Sequence, residues 1–444
     1  MKPVIDILEE RISAAMAAAT GRSNCAAIVR GSTDPKFGDY QANGVMALAK
    51  KIKTNPRKLA EQVVSNLDIE DICEPVEIAG PGFINLRLKS DFIADRVLEI
   101  NADSVNRLGI EKEAQPKTIV VDFSCPNIAK QMHVGHLRST IIGDCICRML
   151  EFLGHTVIRQ NHIGDWGLQF GMLCALLNEK VHKASKGEGL LNVSKTLEDL
   201  EVFYKEAKLQ YDTDEEFAAT ARDAVRGLHN GETVWINEWK DIVRESRKHY
   251  LPIYRMLKVD LTEKDERGES SYNDDLPGVI ADLKKIGLAI DSDGAVCVFP
   301  EGFRNKEGEP LPFIIQKSDG AYLYATTDLA AIRYRVTGIE YEGKKYKADK
   351  IIYVTDARQK LHFEMLFAVA RMAKWVSDDI KLSHVMFGSV LGEEGTPLKT
   401  RSGENVKLKE LLEEAVARAE DIVNEKNPNL DKQSKDRIAK AVEL

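Results

Sequence analysis

The rhythm of apolar and polar positions along the chain changes once, near residues 112–117. Before that point Ile5, Leu8, Ile12 and Ala15 recur at helical spacing, and CAAIVR (25–30) reads as a short strand. Asp39 is a candidate cap for a helix through VMALAKK, and Asn55-Pro56 is a cap followed by proline at the first helical position. VEIA and FINLRL, within 76–88, flank a Gly-Pro-Gly turn as two short strands. A helix over 91–107 and the polar stretch GIEKEAQPK lead out. Residues 1–115 therefore predict a small α+β domain.

From 118 the pattern is strand–helix–strand. TIVVDF is a continuous apolar run, as expected of a strand covered on both faces of a parallel sheet. LRSTIIGDCICRMLEFLG predicts a helix ending at Gly154, and HTVIRQNHIG is the next strand. This βαβ unit implies parallel strands joined by a right-handed crossover. Residues 172–258 are highly charged and helical in period, which predicts an insertion between two sheet halves. Sheet-like pieces resume at AYLYATTD (321–328), IIYVTD (351–356) and HVMFGSVLG (384–392), with helices between them. The fold class is thus α/β: a doubly wound, parallel-sheet, Rossmann-like domain over 116–406, with ligands at the carboxyl ends of its strands. In the remaining stretch, 407–444, Leu412, Val416, Ala419 and Val423 mark an amphipathic helix that Asn427-Pro428 ends. Ser434 begins another, which stops at Leu444 without a glycine cap and reads as cut rather than finished.

Composition narrows the class without naming a reaction. The 444 residues are 43% hydrophobic and 30% charged, and no apolar run reaches bilayer length, so the expectation is a multidomain globular protein without a membrane partner. MKPVIDILEERIS lacks the basic-then-apolar layout of a secretion signal. The seven cysteines are scattered and include no CxxC, which suits a reducing cytoplasm and offers no framework for a structural metal. A formal net charge of −8 leaves any nucleic-acid contact to local clusters of Lys and Arg.

The strongest chemical signal is SCPNIAKQMHVGHLRST (124–140), between a buried strand and the helix after it. His133 and His136 lie just before and at a helix N-terminus, where unpaired amides and the helix dipole favour phosphate. Gly135 would let a nucleotide approach the backbone. Two surface histidines opening a helix, or a zinc pair, are the competing readings of HxxH. Elsewhere, Asp122 ends a buried strand, where an unpaired carboxylate is costly; a cationic ligand, a backbone donor or an arginine would satisfy it. Tyr324 and Asp328 are candidates for a strand end and the following turn, where a carboxylate can take a guanidinium bidentately, although a core tyrosine and a capping aspartate fit as well. GDWG (164–167) fits either a nucleotide-site turn or a tight turn with a buried tryptophan.

The 124–140 segment resembles the HIGH motif of class I aminoacyl-tRNA synthetases, and most closely that of arginyl-tRNA synthetases. VDFSCPNIAKQMHVGHLRSTIIGD and EFLGHTVIRQNHIGDWGLQFGML carry the resemblance, with FGDYQANGVMALAKK, GPGFINLRL, DGAYLYATTDLAA, TDARQ and LKTRSGENVKL. It implies an arginine–tRNA ligase that uses ATP, as its magnesium complex, to form arginyl-adenylate and then charges tRNA(Arg). By the same resemblance Pro126, Asn127, Ile128, Ala129, Lys130, Gln131, Met132, His133, Val134, Gly135 and His136 form the HIGH region. Of these His133, Gly135 and His136, with His362 and Gly388, line the ATP site. Asp122, Ser124, Asn127, His133, Tyr324, Asp328 and Gln359 would hold arginine. The second class I motif, KMSKS, is represented only by PLKTRSG, where Lys399 and Arg401 supply charge. A lysine just before the HIGH histidines is thought to compensate in such members, and Lys130 has that place. Phe37, Tyr40, Phe83 and Asn85 in the first domain are candidates for tRNA, since aromatic rings stack on unpaired bases and an amide reads base edges.

The resemblance further implies a cytoplasmic monomer whose helical anticodon-binding domain would follow residue 444. Two other functions compete: a small nucleotidyltransferase sharing an HxGH site, and a tRNA-binding or regulatory paralogue or truncated form without full charging.

Overall fold

Two compact units divide the chain, Met1–Glu113 and Ala114–Leu444. The structure is a computed structural model and describes all residues except 104, 187–192, 198, 392–394, 396–405 and 444.

In the first unit the repeat at Leu8, Ile12 and Ala15 becomes the buried face of α1 (Val4–Thr20). There follow β1 (Val29–Gly31), β2 (Tyr40–Ala42), α2 (Gly44–Ile52), α3 (Pro56–Ser65), β3 (Glu77–Ala79), β4 (Phe83–Leu86) and α4 (Ser90–Asn101). The strands form an antiparallel sheet in the order β1-β2-β4-β3. Ile84, Leu86 and Ala42 join Leu8, Ile12, Leu59 and Val63 in one core.

Asn55 caps α3, its side-chain oxygen accepting the amides of Arg57 and Lys58, and Pro56 occupies the first turn. Asp39 does not cap a helix. α2 begins only at Gly44, and the Asp39 carboxylate accepts the Leu88 amide at 2.8 Å, tying the start of β2 to the end of β4. The strand expected over 25–30 starts only at Val29, because Ile28 is left-handed (φ 54°) and its amide, like that of Val29, donates to Glu9.

In the second unit β5 (Thr118–Asp122), α5 (Gly135–Phe152) and β6 (Thr156–Gln160) form a βαβ unit. Five helices come next: α6 (Leu168–Ser185), α7 (Val193–Thr196), α8 (Leu200–Thr213), α9 (Glu215–His229) and α10 (Thr233–Met256). After α11 (Leu276–Lys285) a small antiparallel sheet is made by β7 (Ala289–Ser292), β8 (Ala295–Val298) and β9 (Phe313–Gln316). Then come α12 (Tyr324–Thr337), the hairpin β10 (Ile339–Tyr341) and β11 (Lys344–Tyr346), β12 (Lys350–Asp356), α13 (Lys360–Met372) and β13 (Lys381–Phe387). The helices α14 (Leu408–Lys426) and α15 (Lys432–Glu443) end the unit.

The four central strands are parallel, in the order β13-β12-β5-β6. The chain leaves β5 to one side for β6 and later returns on the other side for β12. The order therefore reverses between β5 and β12, and the crevice beyond their carboxyl ends is where such a sheet takes ligands. The lack of polar alternation in TIVVDF has a direct cause. Ile119 and Val121 face one core with Val354, while Val120 faces a second with Ile351 and Leu329.

The inserted helices have no core of their own. Phe170, Leu173, Phe203, Ile242 and Tyr254 share a cluster with Val121, Val157 and Val354 of the sheet. Leu408 and Leu412 of α14 enter the same cluster. The sheet-like reading of AYLYATTD (321–328) is overturned, since a helix starts at Tyr324. Ala325, Thr326, Leu329, Ala330 and Ile332 are buried around much of its circumference, so packing overrides the β-branched threonines.

Candidate active site

β5 ends at Asp122, and the chain must leave the sheet and turn before α5 can begin. Ser124 and Cys125 make that turn with φ of 70° and 47°, a region that side chains with a Cβ seldom adopt. The surroundings hold it there. The Ser124 amide donates to Ser139 Oγ at 2.9 Å and the Cys125 amide to Asn161 Oδ1 at 3.0 Å. The Ser124 hydroxyl lies 2.8 Å from the Tyr254 hydroxyl and 2.9 Å from that of Thr140, and Asn161 donates to the same Tyr254 oxygen at 3.0 Å. Such over-determination is what lets a strained turn persist beside a site. Next, Ile128 N–H donates to Gly164 O and Gly164 N–H to Pro126 O, which pins residues 126–128 against GDWG. Asp165 of GDWG is buried and accepts both the amide and the hydroxyl of Ser270, at 2.9 and 2.7 Å, so its role here is to brace the backbone.

Hydrophobicity then sorts the loop. Ile128, Ala129, Met132 and Val134 are buried, whereas Lys130 is exposed and Asn127, Gln131, His133 and His136 are partly accessible. Asn127 Oδ1 accepts the Ala129 amide at 3.1 Å and shapes its own turn.

The two imidazoles stand 4.1 Å apart between ring centroids. His133 Nδ1 accepts the Gly135 amide at 3.1 Å, and His136 Nδ1 accepts the His133 amide at 3.2 Å. His133 Nδ1 is thereby an acceptor and leaves Nε2 to carry the proton of the neutral ring, whereas His136 Nδ1 also lies 3.3 Å from the His133 carbonyl and accepts or donates according to its tautomer. Burial, then the charges of Lys130 and Arg358, lower the His133 pKa. Burial, reinforced by His133, pushes His136 down to about 3. Both shifts favour the neutral imidazole. Gly135 has a nearer neighbour than a nucleotide: a Cβ there would stand 2.8 Å from His133 Cε1, so the glycine protects the His133 rotamer. Gly143, one face of α5 further along, lets the helix lie on β5, because a Cβ there would enter the Phe123 ring.

A second cluster gathers from distant segments. Tyr324 and Asp328 lie one turn apart on α12, not at a strand end, and Tyr324 is 65% exposed. His362 of α13, expected at the nucleotide site, meets Asp328 through Nε2 at 2.6 Å. Gln359 is exposed at the cap of α13, one turn before His362. Glu269 was missed by sequence reasoning. Burial, with Asp165 and Asp328 nearby, raises its carboxyl to about 7, while His162 opposes the shift. Partial burial and the Glu269 charge raise the Tyr324 phenol in turn. Glu269 thus lies within electrostatic reach of Tyr324, Asp328, Asp165 and His162. A lone glutamate in a charged stretch has no local signature, so only the fold could find it.

Asp122 is already satisfied inside the protein. Its carboxylate pairs with Arg335, which is fully buried, accepts the Cys125 thiol at 2.8 Å and lies 3.8 Å from His162. Burial alone would raise its pKa, but Arg335 and His162 hold it well below the usual carboxylate range. Of the three ways to satisfy Asp122, the fold uses an arginine. Cys125 is pushed up by burial and by Asp122, so it packs as a thiol.

Gly388 follows β13 and its carbonyl accepts Arg138 Nη1 at 2.5 Å, joining that strand end to α5. Ser389 Oγ donates to Asp356, at the end of β12, at 3.0 Å. Lys399 and Arg401 lie outside the described residues. Among the described residues no three His, Cys, Asp or Glu side chains gather to hold a metal, and no helix is long and apolar enough to cross a membrane.

In the first unit, register separates the four tRNA candidates. Tyr40 pairs with Leu86 on the core side of the sheet, whereas Phe83 and the buried Asn85 alternate onto the other side, where Gln41 Nε2 donates to Asn85 Oδ1 at 2.8 Å. Phe37 is partly exposed, with Lys36 over its ring at 4.8 Å.

Comparison with known proteins agrees with this architecture. Residues 100–444 match the family described as tRNA synthetases class I (R), catalytic domain, and residues 6–88 match the arginyl tRNA synthetase N terminal domain. The arginine–tRNA ligase of Hahella chejuensis is 50% identical over 436 residues, covering 98% of this chain and 73% of that protein. The ligase of Nostoc punctiforme is 52% identical over 392 residues, 88% of this chain and 64% of that one. Among solved structures, the arginyl-tRNA synthetase of Plasmodium falciparum superposes with a TM-score of 0.77 at 30% identity, covering 100% of this chain and 73% of that chain. The Thermus thermophilus arginyl-tRNA synthetase shares the fold, with a TM-score of 0.74 at 23% identity over 99% of this chain and 74% of that one. The reversed parallel sheet, the histidine pair at its crevice and these matches along the chain together make it a member of the arginyl-tRNA synthetase family.

Proposed function

We propose a division of labour for the family's reaction, the ATP-dependent joining of L-arginine to tRNA(Arg). The α5 end handles phosphate and the α12–α13 end handles the guanidinium. In the first step a carboxylate oxygen of arginine attacks the α-phosphorus of ATP, the bond to pyrophosphate breaks, and arginyl-adenylate forms. The Nε2–H groups of His133 and His136 donate to phosphate oxygens as negative charge moves toward the leaving pyrophosphate, and Lys130 adds positive charge. Lys399 and Arg401 are assigned to the same clamp. Asp328, oriented by His362, takes the guanidinium beside Glu269 and Tyr324. Asn127 and Gln359 hold the amino-acid end, Ser124 fixes the turn under it, and Asp122 acts through Arg335 and His162 rather than on arginine directly. In the second step the 2′-hydroxyl of the terminal adenosine attacks the adenylate carbonyl and AMP leaves. No protein nucleophile is required.

Magnesium bound to ATP would offset part of the triphosphate charge, with His133, His136 and Lys130 facing the same phosphates. In the first unit Phe37, Phe83 and Asn85 are offered to tRNA, with Tyr40 supporting them from the core side. The chain is assigned to the cytoplasm as a monomer. The observation that carries the reading is the pair of adjacent imidazoles at the start of α5, with Asp328 held by His362 on α12 of the same unit. Charging of purified tRNA(Arg), assayed across the amino acids, tests it: arginine alone should be attached, and attachment of another amino acid, or none, would overturn it.

A further inference from the structure

The α8 helix, deep in the sequence of the helical insertion, touches Lys130 of the histidine loop and Lys407. Lys130 is exposed and makes no ion pair among the described residues, yet its Nζ lies 4.2 Å from the centre of the Tyr204 ring. Tyr204 is itself partly buried against the core that α8 shares with the sheet. One turn earlier, Glu201 takes Lys407 Nζ at 3.0 Å. Lys407 in turn bridges to His133 through the backbone, with Val134 N–H donating to Val406 O and Leu408 N–H to Met132 O, both at 2.9 Å. Lys407 therefore forms an isolated antiparallel bridge with His133, just before α14 begins. Positions three apart share a helix face. A single face of α8 thus holds both Lys130 and Lys407.

We propose that Tyr204 and Glu201 are positioning residues for adenylate formation: Tyr204 keeps Lys130 over its ring, and Glu201, through Lys407, holds the bridge between Lys407 and His133. This rests on the assignment of Lys130 to phosphate. A flexible lysine without a carboxylate partner needs something to limit its rotamers, and a ring face does so without neutralising the charge that phosphate needs.

The test is ATP–pyrophosphate exchange by the full chain with tRNA supplied, alongside melting temperatures. Tyr204→Leu should lower kcat/KM for ATP about fivefold and leave the KM for arginine unchanged, whereas Tyr204→Phe, which keeps the ring face, should stay within about twofold of the parent. In a Lys130→Ala background, Tyr204→Leu should add nothing, because the contact it removes is already gone. Glu201→Gln should lower kcat/KM for ATP, again with arginine KM and melting temperature unmoved. Equal losses in the Leu and Phe variants, or a Tyr204→Leu loss that persists without Lys130, would overturn the role of Tyr204 while leaving Lys130 in place. A Glu201→Gln variant with normal kinetics would remove Glu201. Normal exchange by Lys130→Ala alone would remove the assignment of Lys130 and this proposal with it.

Discussion

At one end of the site His133, Gly135, His136 and Lys130 belong to a single loop and the first turn of α5; at the other, Glu269, Tyr324, Asp328 and His362 arrive from three separate elements. The first end is made by local rules: apolar Ile128, Met132 and Val134 sink into the core, the polar residues between them stay out, and a glycine leaves space for an imidazole. The second end exists only after β12 and α13 have returned to the crevice. The difference bears on chemistry as well as assembly. Burial and nearby positive charge favour neutral histidines, whereas burial and neighbouring carboxylates raise Glu269 toward protonation.

If the two ends are separate, damage to each should read out differently. The largest effect is expected from His136→Ala, which should lower the rate of exchange by about 10²–10³, as loss of one preorganised donor does, with arginine affinity nearly unchanged. Equal loss of both in exchange and equilibrium-binding assays would merge the two ends. Asp328→Ala should do the reverse, raising the arginine KM by about 10- to 100-fold through loss of a charged hydrogen bond, with a smaller change in kcat; unchanged affinity would take Asp328 out of the pocket.

The smallest effect is a pH dependence. Glu269 is held near 7, above its ordinary 4.5, by burial and by Asp165 and Asp328, with His162 opposing and Tyr324 alongside. Arginine needs the ionised form, so its affinity should rise with pH up to about 7 and then level, by at most about tenfold per unit. The stability sign is opposite. A carboxyl whose folded pKa is raised binds more protons folded than unfolded, so the stability it contributes is present below 4.5 and is lost as pH rises toward 7. Glu269→Gln should therefore flatten the affinity profile and, without arginine, melt at a higher temperature than the parent at pH 8 but not at pH 4. Calorimetric titration and thermal melts at both pH values check this; an unaltered affinity profile would detach Glu269 from the substrate.

What could be read from the sequence follows the same division. The βαβ unit, the Asn55 cap and the histidine loop are local, and their apolar spacing or turn chemistry announces them. Tyr324 and Asp328 were candidates from their chemistry and were assigned to arginine by family resemblance, but their element was misread, because YATTDLAAI has β-branched residues that tertiary burial turns into a helix. Glu269, the Arg335 partner of Asp122, and the Tyr254 hydroxyl under Ser124 depend on contacts between residues far apart in the chain. None leaves a pattern in its own neighbourhood. His362 shows the intermediate case: its proximity to the site was legible, its partner was not.

The measurement that bears most directly on the division is a crystal structure of the chain with a non-hydrolysable arginyl-adenylate analogue. The guanidinium should contact Asp328 and Glu269, with the phosphate-mimicking group within hydrogen-bond reach of His133 or His136 Nε2. An analogue seated with its guanidinium away from α12, or with its phosphate mimic beyond the reach of both rings, would contradict it.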